Sequence, residues 1–477
     1  MTAMLLRRVE LPDGISDVAI RDGRITAIAA HLDTHIAGPD ATVIDGHGGA
    51  LIPGLHDHHI HLFATAAAAD SIHCGPPEVR TREELARVLR NAPGNGWIRG
   101  VGYVETVAGP LDSRALDRIE TRRPMRIQHR SGALWVLNSV AAALVGLDGA
   151  DHPGIERDNT GAATGRLFRA DNWLRDRLPD DGPPDLRALG ARLARFGITG
   201  VTEATPDLSP VTMTALIDAH VKGAIPQRLH LLGAPIGVDT VAWPATVTVG
   251  PSKIVLADSG LPDFSELVET IRRAHDAGRA VAVHCVSRIA LVLLVAALDE
   301  AGAVPGDRIE HGSVIPAELV GDLARNGICV VTQPGFLAHR GDDYLERVDA
   351  DDLPDLYRCR SLLDGGVGLA LSSDAPYGPL DPWTVISAAA DRRAPTGVVV
   401  GPEERIGTDE ALVGYLTRPE RPGRDPRTVE VGASADLVLL DRALREELAE
   451  PTSESVRCTI VRGEIVYQKS HRSNAAR

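Results

Sequence analysis

The chain has 477 residues, of which 44% are apolar and only 3% aromatic, so we expect a core built from Ala, Val, Leu and Ile. That composition suits parallel strands packed against helices and argues against a nucleic-acid surface made of stacking aromatic rings. The formal charge of -15, from 50 basic and 65 acidic residues, opposes binding to nucleic acid or to an anionic membrane.

The N-terminal segment MTAMLLRRVELPDG reaches acidic and turn-forming residues too early for the apolar stretch of about 7 to 15 residues found in secretory signals. The longest apolar run, IALVLLVAAL at 289–298, is far shorter than the ~20 residues of a membrane span. The five cysteines are scattered without C-x-x-C spacing and are expected to be free thiols. We therefore expect a soluble cytoplasmic protein.

Both ends of the chain predict antiparallel hairpins. The segment DVAIRDGRITAIA (17–29) alternates apolar and polar residues around an Asp-Gly dipeptide, which suits a tight turn. Near the other end, CTIVRGEIVYQ (458–468) turns in the same way at an Arg-Gly dipeptide. We expect residues 1–52 and 405–477 to form one small β-sandwich domain from both termini.

Between the two ends, short β-branched runs alternate with helical stretches over more than 300 residues. This alternation predicts an α/β fold with a parallel sheet, and the number of units favours a closed (β/α)8 TIM barrel. Nine candidate strands compete for eight places, and either RLHLLG or MRIQH is misread or peripheral. The candidates are GALIPGL leading into HHIHL, MRIQH, ITGVTEA, RLHLLG, KIVLA, AVAVHC, RIEHG, ICVVTQ and VGLALSSD.

The first barrel strand is followed by far more residues than one strand–helix unit needs. Pro- and Gly-rich pieces such as CGPPE, NAPGNGW and LPDDGPPD mark this stretch. We therefore predict a barrel over 53–404, with an insertion after the first strand at about 64–185.

Four histidines fall within six positions of the segment LIPGLHDHHIHL (51–62). Side chains alternate between the faces of a strand, so His59 and His61 share one face while His56 and His58 share the other. An H-x-H pair at the carboxyl end of a barrel strand directs two imidazoles toward the barrel mouth. The predicted metal ligands are therefore His59 and His61, whereas His56 and His58 are expected to pack beneath helices or loops.

Three later strands also end in residues that can bind a metal. His284 closes AVAVHC, His311 closes RIEHG and Asp374 closes LALSSD. A single histidine at a strand end is usually structural, but chance does not readily place four histidines and an aspartate at the same end of different strands.

These residues carry a resemblance to the amidohydrolase superfamily, the metal-dependent hydrolases built on a (β/α)8 barrel. The similar segments span nearly the whole chain, from PGLHDHHIH to SSDAPYGPLDP and the terminal β-domain. Looser similarities, in GWIRGVGY, ALWVLNS, TVEVGASADLVLLD and the PGF that precedes Arg340, point to the amidohydrolase 3 subgroup that includes N-substituted formamide deformylases.

The resemblance implies a binuclear centre with a carboxylated lysine as bridge, and Lys253 in KIVLA is the matching residue. Burial near cations favours the neutral amine that carboxylation requires. One ion would be held by His59, His61 and Asp374, and the other by His284 and His311. Two Zn ions per chain are expected, although Mn, Fe or Co could occupy the same ligands.

The implied reaction is hydrolysis of a C–N bond in a linear amide, an N-formyl or N-acyl amine, by a metal-bound hydroxide. Asp374 is expected to be catalytic by accepting the proton of the water and passing it to the leaving amine. Candidate contacts to a small-molecule substrate are Tyr103, Arg130, Gln333 and Arg340.

Other functions stay open at this level. The chain could instead hydrolyse a cyclic amide. It could also be a mononuclear deaminase in which Lys253 takes no part and one metal is held by His59, His61, His284 and Asp374. A non-catalytic barrel would be expected to have lost ligands, and a histidine-rich storage surface would use His56 and His58 as much as His59 and His61. The sequence leaves undetermined the acyl group, the amine, the metal and its stoichiometry, and whether the chain forms a homo-oligomer.

Overall fold

A computed structural model describes residues 3–38, 40–179, 182–258 and 260–470. The chain divides into two compact units, one of Met1–Leu62 with Asp185–Arg477 and the other of Phe63–Pro184. Within the described ranges, no helix combines the length and the apolar character that crossing a membrane requires. All five cysteines fall in these ranges, and each is buried as a free thiol.

The strands are, in chain order, β1 (Ala3–Leu11), β2 (Gly14–Arg21), β3 (Arg24–Ala29), β4 (Thr42–Asp45), β5 (Leu51–Pro53), β6 (Leu55–Ile60), β7 (Ile72–His73), β8 (Ile98–Tyr103), β9 (Met125–His129), β10 (Leu134–Leu137), β11 (Ile155–Arg157), β12 (Ala163–Phe168), β13 (Ile198–Glu203), β14 (Arg228–Leu231), β15 (Val247–Val249), β16 (Ser252–Val255), β17 (Val281–Cys285), β18 (Arg308–His311), β19 (Cys329–Thr332), β20 (Gly368–Leu371), β21 (Leu437–Leu440), β22 (Val456–Val461) and β23 (Glu464–Gln468).

The α-helices are α1 (Thr34–Ala37), α2 (Leu62–Ala69), α3 (Arg82–Arg90), α4 (Glu105–Ala108), α5 (Ser113–Asp117), α6 (Ser139–Leu144), α7 (Asp171–Arg175), α8 (Arg187–Arg195), α9 (Pro210–Val221), α10 (Phe264–Asp276), α11 (Arg288–Ala301), α12 (Val320–Arg325), α13 (Gly335–Arg347), α14 (Arg360–Asp364), α15 (Pro382–Asp391), α16 (Thr408–Leu416) and α17 (Leu444–Ala449).

The larger unit contains two parallel sheets, with strand orders β15-β14-β13-β6 and β16-β17-β18-β19-β20. Most of these strands are buried along their whole length, as expected for parallel strands covered on both faces. Helices alternate with them. For example, α11 begins where the Ser287 hydroxyl accepts a hydrogen bond from the backbone N–H of Ala290.

Backbone hydrogen bonds join the two parallel sheets at one edge, and the chain itself connects them at the other. At one edge, the Asp374 N–H donates to the His59 carbonyl over 2.8 Å, and the His61 N–H donates to the Ala375 carbonyl over 3.0 Å. At the other edge, β15 passes into β16 through Gly250 and Pro251, and the Gly250 N–H donates to the carbonyl of Leu231 on β14. The last residues of β6 and β20 are therefore neighbours.

The nine candidate strands of the sequence are now resolved. RLHLLG is β14 and lies in a parallel sheet, between β13 and β15. MRIQH is β9, which belongs to the sheet of the smaller unit and is the peripheral candidate.

The two ends of the chain form two further four-stranded sheets, with orders β3-β2-β1-β4 and β23-β22-β21-β5. Both predicted hairpins are present, and their turn residues Asp22-Gly23 and Arg462-Gly463 all have positive φ angles, from 49° to 76°. One apolar cluster draws side chains from both sheets, among them Leu6, Ile20, Leu439 and Ile460.

The smaller unit, Phe63–Pro184, has a six-stranded sheet of order β11-β12-β10-β9-β8-β7. The strands β7, β8 and β9 pair in parallel, and the others are antiparallel. Its core includes Leu85, Ile98, Met125 and Ile127. The side chain of Asn138 is fully buried and hydrogen-bonds four backbone groups, so it stabilises the start of α6 and the neighbouring loop.

Candidate metal centre

Three side chains meet at the joined edge of the parallel sheets, where β6 and β20 end. The ligand atoms of His59, His61 and Asp374 all lie within 4.8 Å of one another. Asp374 Oδ1 is 3.3 Å from Nε2 of His61 and 3.6 Å from Nε2 of His59. Two imidazoles and a carboxylate converging in this way are a donor set suited to a divalent transition metal.

The Nδ1 atoms of both histidines have side-chain partners from other parts of the larger unit. Nδ1 of His59 is hydrogen-bonded to the carboxylate of Glu310, and Nδ1 of His61 lies 3.0 Å from the hydroxyl oxygen of Thr205. The carboxylate of Glu310 accepts from the His59 ring, so the proton of that ring sits on Nδ1 and the lone pair on Nε2. Nε2 of His59 is therefore available as a ligand atom on the side of Asp374.

The other two predicted histidines lie next to this group. The ring centroid of His311 is 4.8 Å from that of His59 and 4.5 Å from that of His284. His311 Nδ1 is hydrogen-bonded to Oε1 of Gln333 over 2.8 Å, which leaves Nε2 for other contacts. The structure thus brings His59, His61, His284, His311 and Asp374 into one cluster.

Burial favours the neutral form of His59 and His311, which is the form that binds a metal. The pKa of His59 is held well below its usual value, first by burial and then by the charge of Lys253. The pKa of His311 is lowered in the same sense, by burial and then by the charges of His284 and His59.

Lys253 lies on β16 with its amine turned into the same region. The residue is partly exposed, but its Nζ atom is buried and has no hydrogen-bond partner among the described residues. Burial lowers the pKa of the amine to about 8, and the charges of Glu310 and Asp374 act on it in the opposite direction. Lys253 is the second residue of β16, which follows β15 through Gly250 and Pro251.

Two buried polar atoms support the fit of a metal to this donor set. Asp374 Oδ1 and Lys253 Nζ both lack a hydrogen-bond partner in the part of the chain that the structure describes. Buried polar groups are nearly always satisfied, and metal ligands are a recognised reason for an exception. The backbone is also strained here, since φ is 72° at His311 and 50° at Asp374.

The other two histidines of the segment LIPGLHDHHIHL, His56 and His58, contact threonines instead. His56 Nε2 lies 2.9 Å from Thr202 Oγ1, and His58 Nε2 lies 3.0 Å from Oγ1 of Thr417, which follows helix α16. A Cβ atom at Gly200 would lie 2.5 Å from His56 Nδ1, so the absence of a side chain there makes room for the ring. Both histidines are buried on β6 away from the Asp374 carboxylate.

Asp57 and Glu203 help to hold the strand ends and were not singled out from the sequence. Asp57 accepts hydrogen bonds from the N–H and the hydroxyl of Ser373, at 3.1 and 2.5 Å, which connects β6 to the residues after β20. Burial raises the pKa of Asp57 to about 6 despite these bonds. Glu203 accepts from the N–H groups of Leu62, the residue after His61, and of Thr205, whose hydroxyl contacts the His61 ring.

The four predicted substrate contacts occupy different surroundings. The amide of Gln333 is buried between His311 and Ser372, and Arg340 donates to the Tyr377 carbonyl over 2.7 Å. Tyr103 and Arg130 belong to the smaller unit, where the Tyr103 hydroxyl donates to the Gly109 carbonyl and the Arg130 N–H to the Tyr103 carbonyl. All four remain predictions as substrate-binding residues. Tyr377, whose ring centroid is 5.7 Å from that of His61, was not predicted.

Comparison with known proteins identifies the family to which the chain belongs. The model of the amidohydrolase family matches residues 42–467. An N-substituted formamide deformylase from Arthrobacter pascens is 27% identical, over 89% of this chain and 90% of its own length.

Two solved structures resemble the chain in fold. An uncharacterised metal-dependent hydrolase from Pyrococcus horikoshii OT3 has a TM-score of 0.73 at 19% identity, covering 92% of this chain and 98% of its own. N-isopropylammelide isopropylaminohydrolase from Burkholderia multivorans ATCC 17616 has a TM-score of 0.53 at 18% identity, covering 98% and 99%. These likenesses show a TIM-barrel-like α/β fold.

Proposed function

Because the chain belongs to the amidohydrolase family, and is a metal-dependent hydrolase of C–N bonds, we propose that it cleaves a linear amide, an N-formyl or N-acyl amine. The observation that carries this proposal is the convergence of two imidazole Nε2 atoms on Asp374 Oδ1. The formyl or acyl substrate is supported by the similarity to the Arthrobacter pascens deformylase.

In this proposal, His59, His61 and Asp374 would hold one divalent ion, and His284 and His311 would hold a second. Lys253, once carboxylated, would supply a negatively charged group to both. The close packing of the His59, His311 and His284 rings supports a shared centre. Zinc is the expected metal because imidazole and carboxylate ligands suit it, and Mn, Fe or Co could bind the same donors.

When bound, such ions lower the pKa of a coordinated water from about 15.7 toward 7 and polarise the substrate carbonyl. The carboxylate of Asp374 accepts the proton of the attacking water and returns it to the amine nitrogen as the C–N bond breaks. Buried, neutral His59 and His311 contribute lone pairs without competing for that proton. Tyr103, Arg130, Gln333 and Arg340 are the proposed substrate contacts.

The fold supports this arrangement through its strand order. We propose that β15 and β16 fill one place of a closed eight-stranded barrel, and that the two four-stranded sheets built from the chain ends form a β-sandwich. The hydrogen bonds between β6 and β20 support closure, and the apolar cluster common to both terminal sheets supports the sandwich.

A mononuclear deaminase, or a hydrolase of cyclic amides, is the second candidate. It is favoured by one observation: among the described residues, the group close enough to share one ion is His59, His61 and Asp374. In that case Lys253 would take no part, and one ion per chain would give full activity.

Metal analysis followed by a substrate screen tests the proposal. The metal-loaded protein is assayed with N-formyl amines, N-acyl amines and cyclic amides, beside the Lys253→Ala variant. We expect two ions per chain, activity on linear amides and a loss of both in the variant. One ion per chain at full activity, with Lys253→Ala still active, would select the mononuclear candidate instead.

A further inference from the structure

Glu310 is a fully buried carboxylate placed between a predicted ligand and an arginine. Its Oε2 is hydrogen-bonded to Nδ1 of His59, and its Oε1 accepts from Nε of Arg308 over 2.5 Å. Arg308 is itself buried, and its Nη2 donates to the carbonyl of His58 over 3.2 Å. The arginine thus holds Glu310 to β6, the strand that carries the His59 ring.

The geometry around His59 determines which ring nitrogen faces Asp374. Because the carboxylate accepts at Nδ1, the lone pair of the imidazole lies on Nε2, 3.6 Å from Asp374 Oδ1. A carboxylate on the outer nitrogen of a metal-binding histidine fixes the ring orientation and raises the basicity of the inner nitrogen. The same contact in water would contribute little, but here it is desolvated.

Stability alone does not explain this ion pair. A buried Arg–Glu pair contributes little net stability compared with apolar side chains of the same volume. Moreover, Nη1 of Arg308 is a buried nitrogen with no hydrogen-bond partner in the described part of the chain, which adds to the cost. The free-energy cost of burying this pair is understandable if the contact between Glu310 and His59 has a function, and that function requires a metal ion bound by His59.

We propose that Glu310, anchored by Arg308, is a positioning residue that selects the Nδ1–H tautomer of His59 and strengthens His59 as a metal ligand. The inference rests on the proposed function, since it requires a metal at His59. Glu310 acts through the imidazole and is not itself a ligand in this proposal.

The test compares two buried glutamates that each pair with an arginine. Glu404 is 2% exposed, and its Oε1 accepts from Arg358 Nη1 over 2.5 Å. Its carboxylate also accepts from the N–H groups of Cys359 and Ser361 and from the Ser361 hydroxyl, and none of these partners is a histidine. Glu310→Gln and Glu310→Ala are compared with Glu404→Gln and Glu404→Ala. The dissociation constant for Zn²⁺ is measured by competition with a chromogenic chelator, and the visible spectrum is recorded with Co²⁺.

We expect Glu310→Ala to bind Zn²⁺ about 10 to 100-fold more weakly than the unmodified protein, with an altered Co²⁺ spectrum. Glu310→Gln keeps an acceptor oxygen but loses the charge. Its affinity for Zn²⁺ should therefore fall between that of the unmodified protein and that of Glu310→Ala. The Glu404 variants lose thermal stability to a similar extent and bind Zn²⁺ within about twofold of the unmodified protein.

The inference is overturned if the Glu310 variants bind Zn²⁺ within about twofold of the unmodified protein, or if the Glu404 variants weaken binding equally. If Glu310→Ala does not fold, Glu310→Gln decides by the same criterion. An unmodified protein that binds no metal would refute the proposed function and this inference together, whereas tight binding in every variant refutes only the inference.

Discussion

The buried amine of Lys253 predicts an unusual pH dependence for assembly of the metal centre. Only the neutral amine reacts with carbon dioxide, and burial lowers its pKa from the ordinary lysine value of 10.5 to about 8. The neutral fraction is then about 1% at pH 6, about 9% at pH 7 and about 50% at pH 8. An ordinary lysine would be only about 0.03% neutral at pH 7, roughly 300-fold less.

The assay follows the initial rate of carbamate formation by ¹³C NMR, after apoprotein is given Zn²⁺ and a fixed concentration of dissolved ¹³CO₂. We expect the rate to rise about 50-fold between pH 6 and pH 8, and only about twofold more by pH 10. A rate that keeps rising, by about 75-fold between pH 8 and pH 10, would indicate a solvated amine. Lys253→Met should give no carbamate signal, and a signal in that variant would contradict the assignment of the bridge.

Two further predictions concern the residues that meet at the β6 edge. Replacing His59 or His61 by alanine should remove about one bound ion per chain, because each supplies one of few ligands, whereas His56→Ala and His58→Ala should keep the full metal content of the protein that folds. Atomic absorption on the purified variants checks this, and equal losses from both pairs would contradict the assignment of faces. Asp374→Asn should lower kcat, normalised to bound metal, by about 100-fold or more, since the amide cannot accept the proton of water. A loss of less than about tenfold would show that another group accepts it.

Much of the site follows from the alternation of side chains along a strand. His59 and His61 could be separated from His56 and His58 because parity on β6 assigns them to different faces, and the structure has the two pairs in different surroundings. Parallel strands also place their carboxyl ends at one rim, which is why Asp374 could be grouped with His59 despite the long separation in sequence.

Other features depend on register and could not be derived from the sequence. Glu310 meets His59 only because β18 lies at a particular height relative to β6, and no local pattern encodes that height. MRIQH has the short apolar pattern of a barrel strand, yet it pairs in the other unit, since a run of five residues does not specify its neighbours. The interruption between β15 and β16 could not be predicted either, because a Gly-Pro dipeptide such as Gly250-Pro251 indicates a turn but not which strands it separates.

The central claim is that six side chains, carried by five strands and the residues that follow them, hold paired divalent ions at this rim. Anomalous diffraction from crystals of the zinc-loaded protein, recorded at the zinc edge, tests it most directly. We predict two peaks, one beside His59, His61 and Asp374 and one beside His284 and His311, with density for a carboxylated Lys253 between them. Zinc peaks located elsewhere in the chain, or none at this rim, would contradict the account.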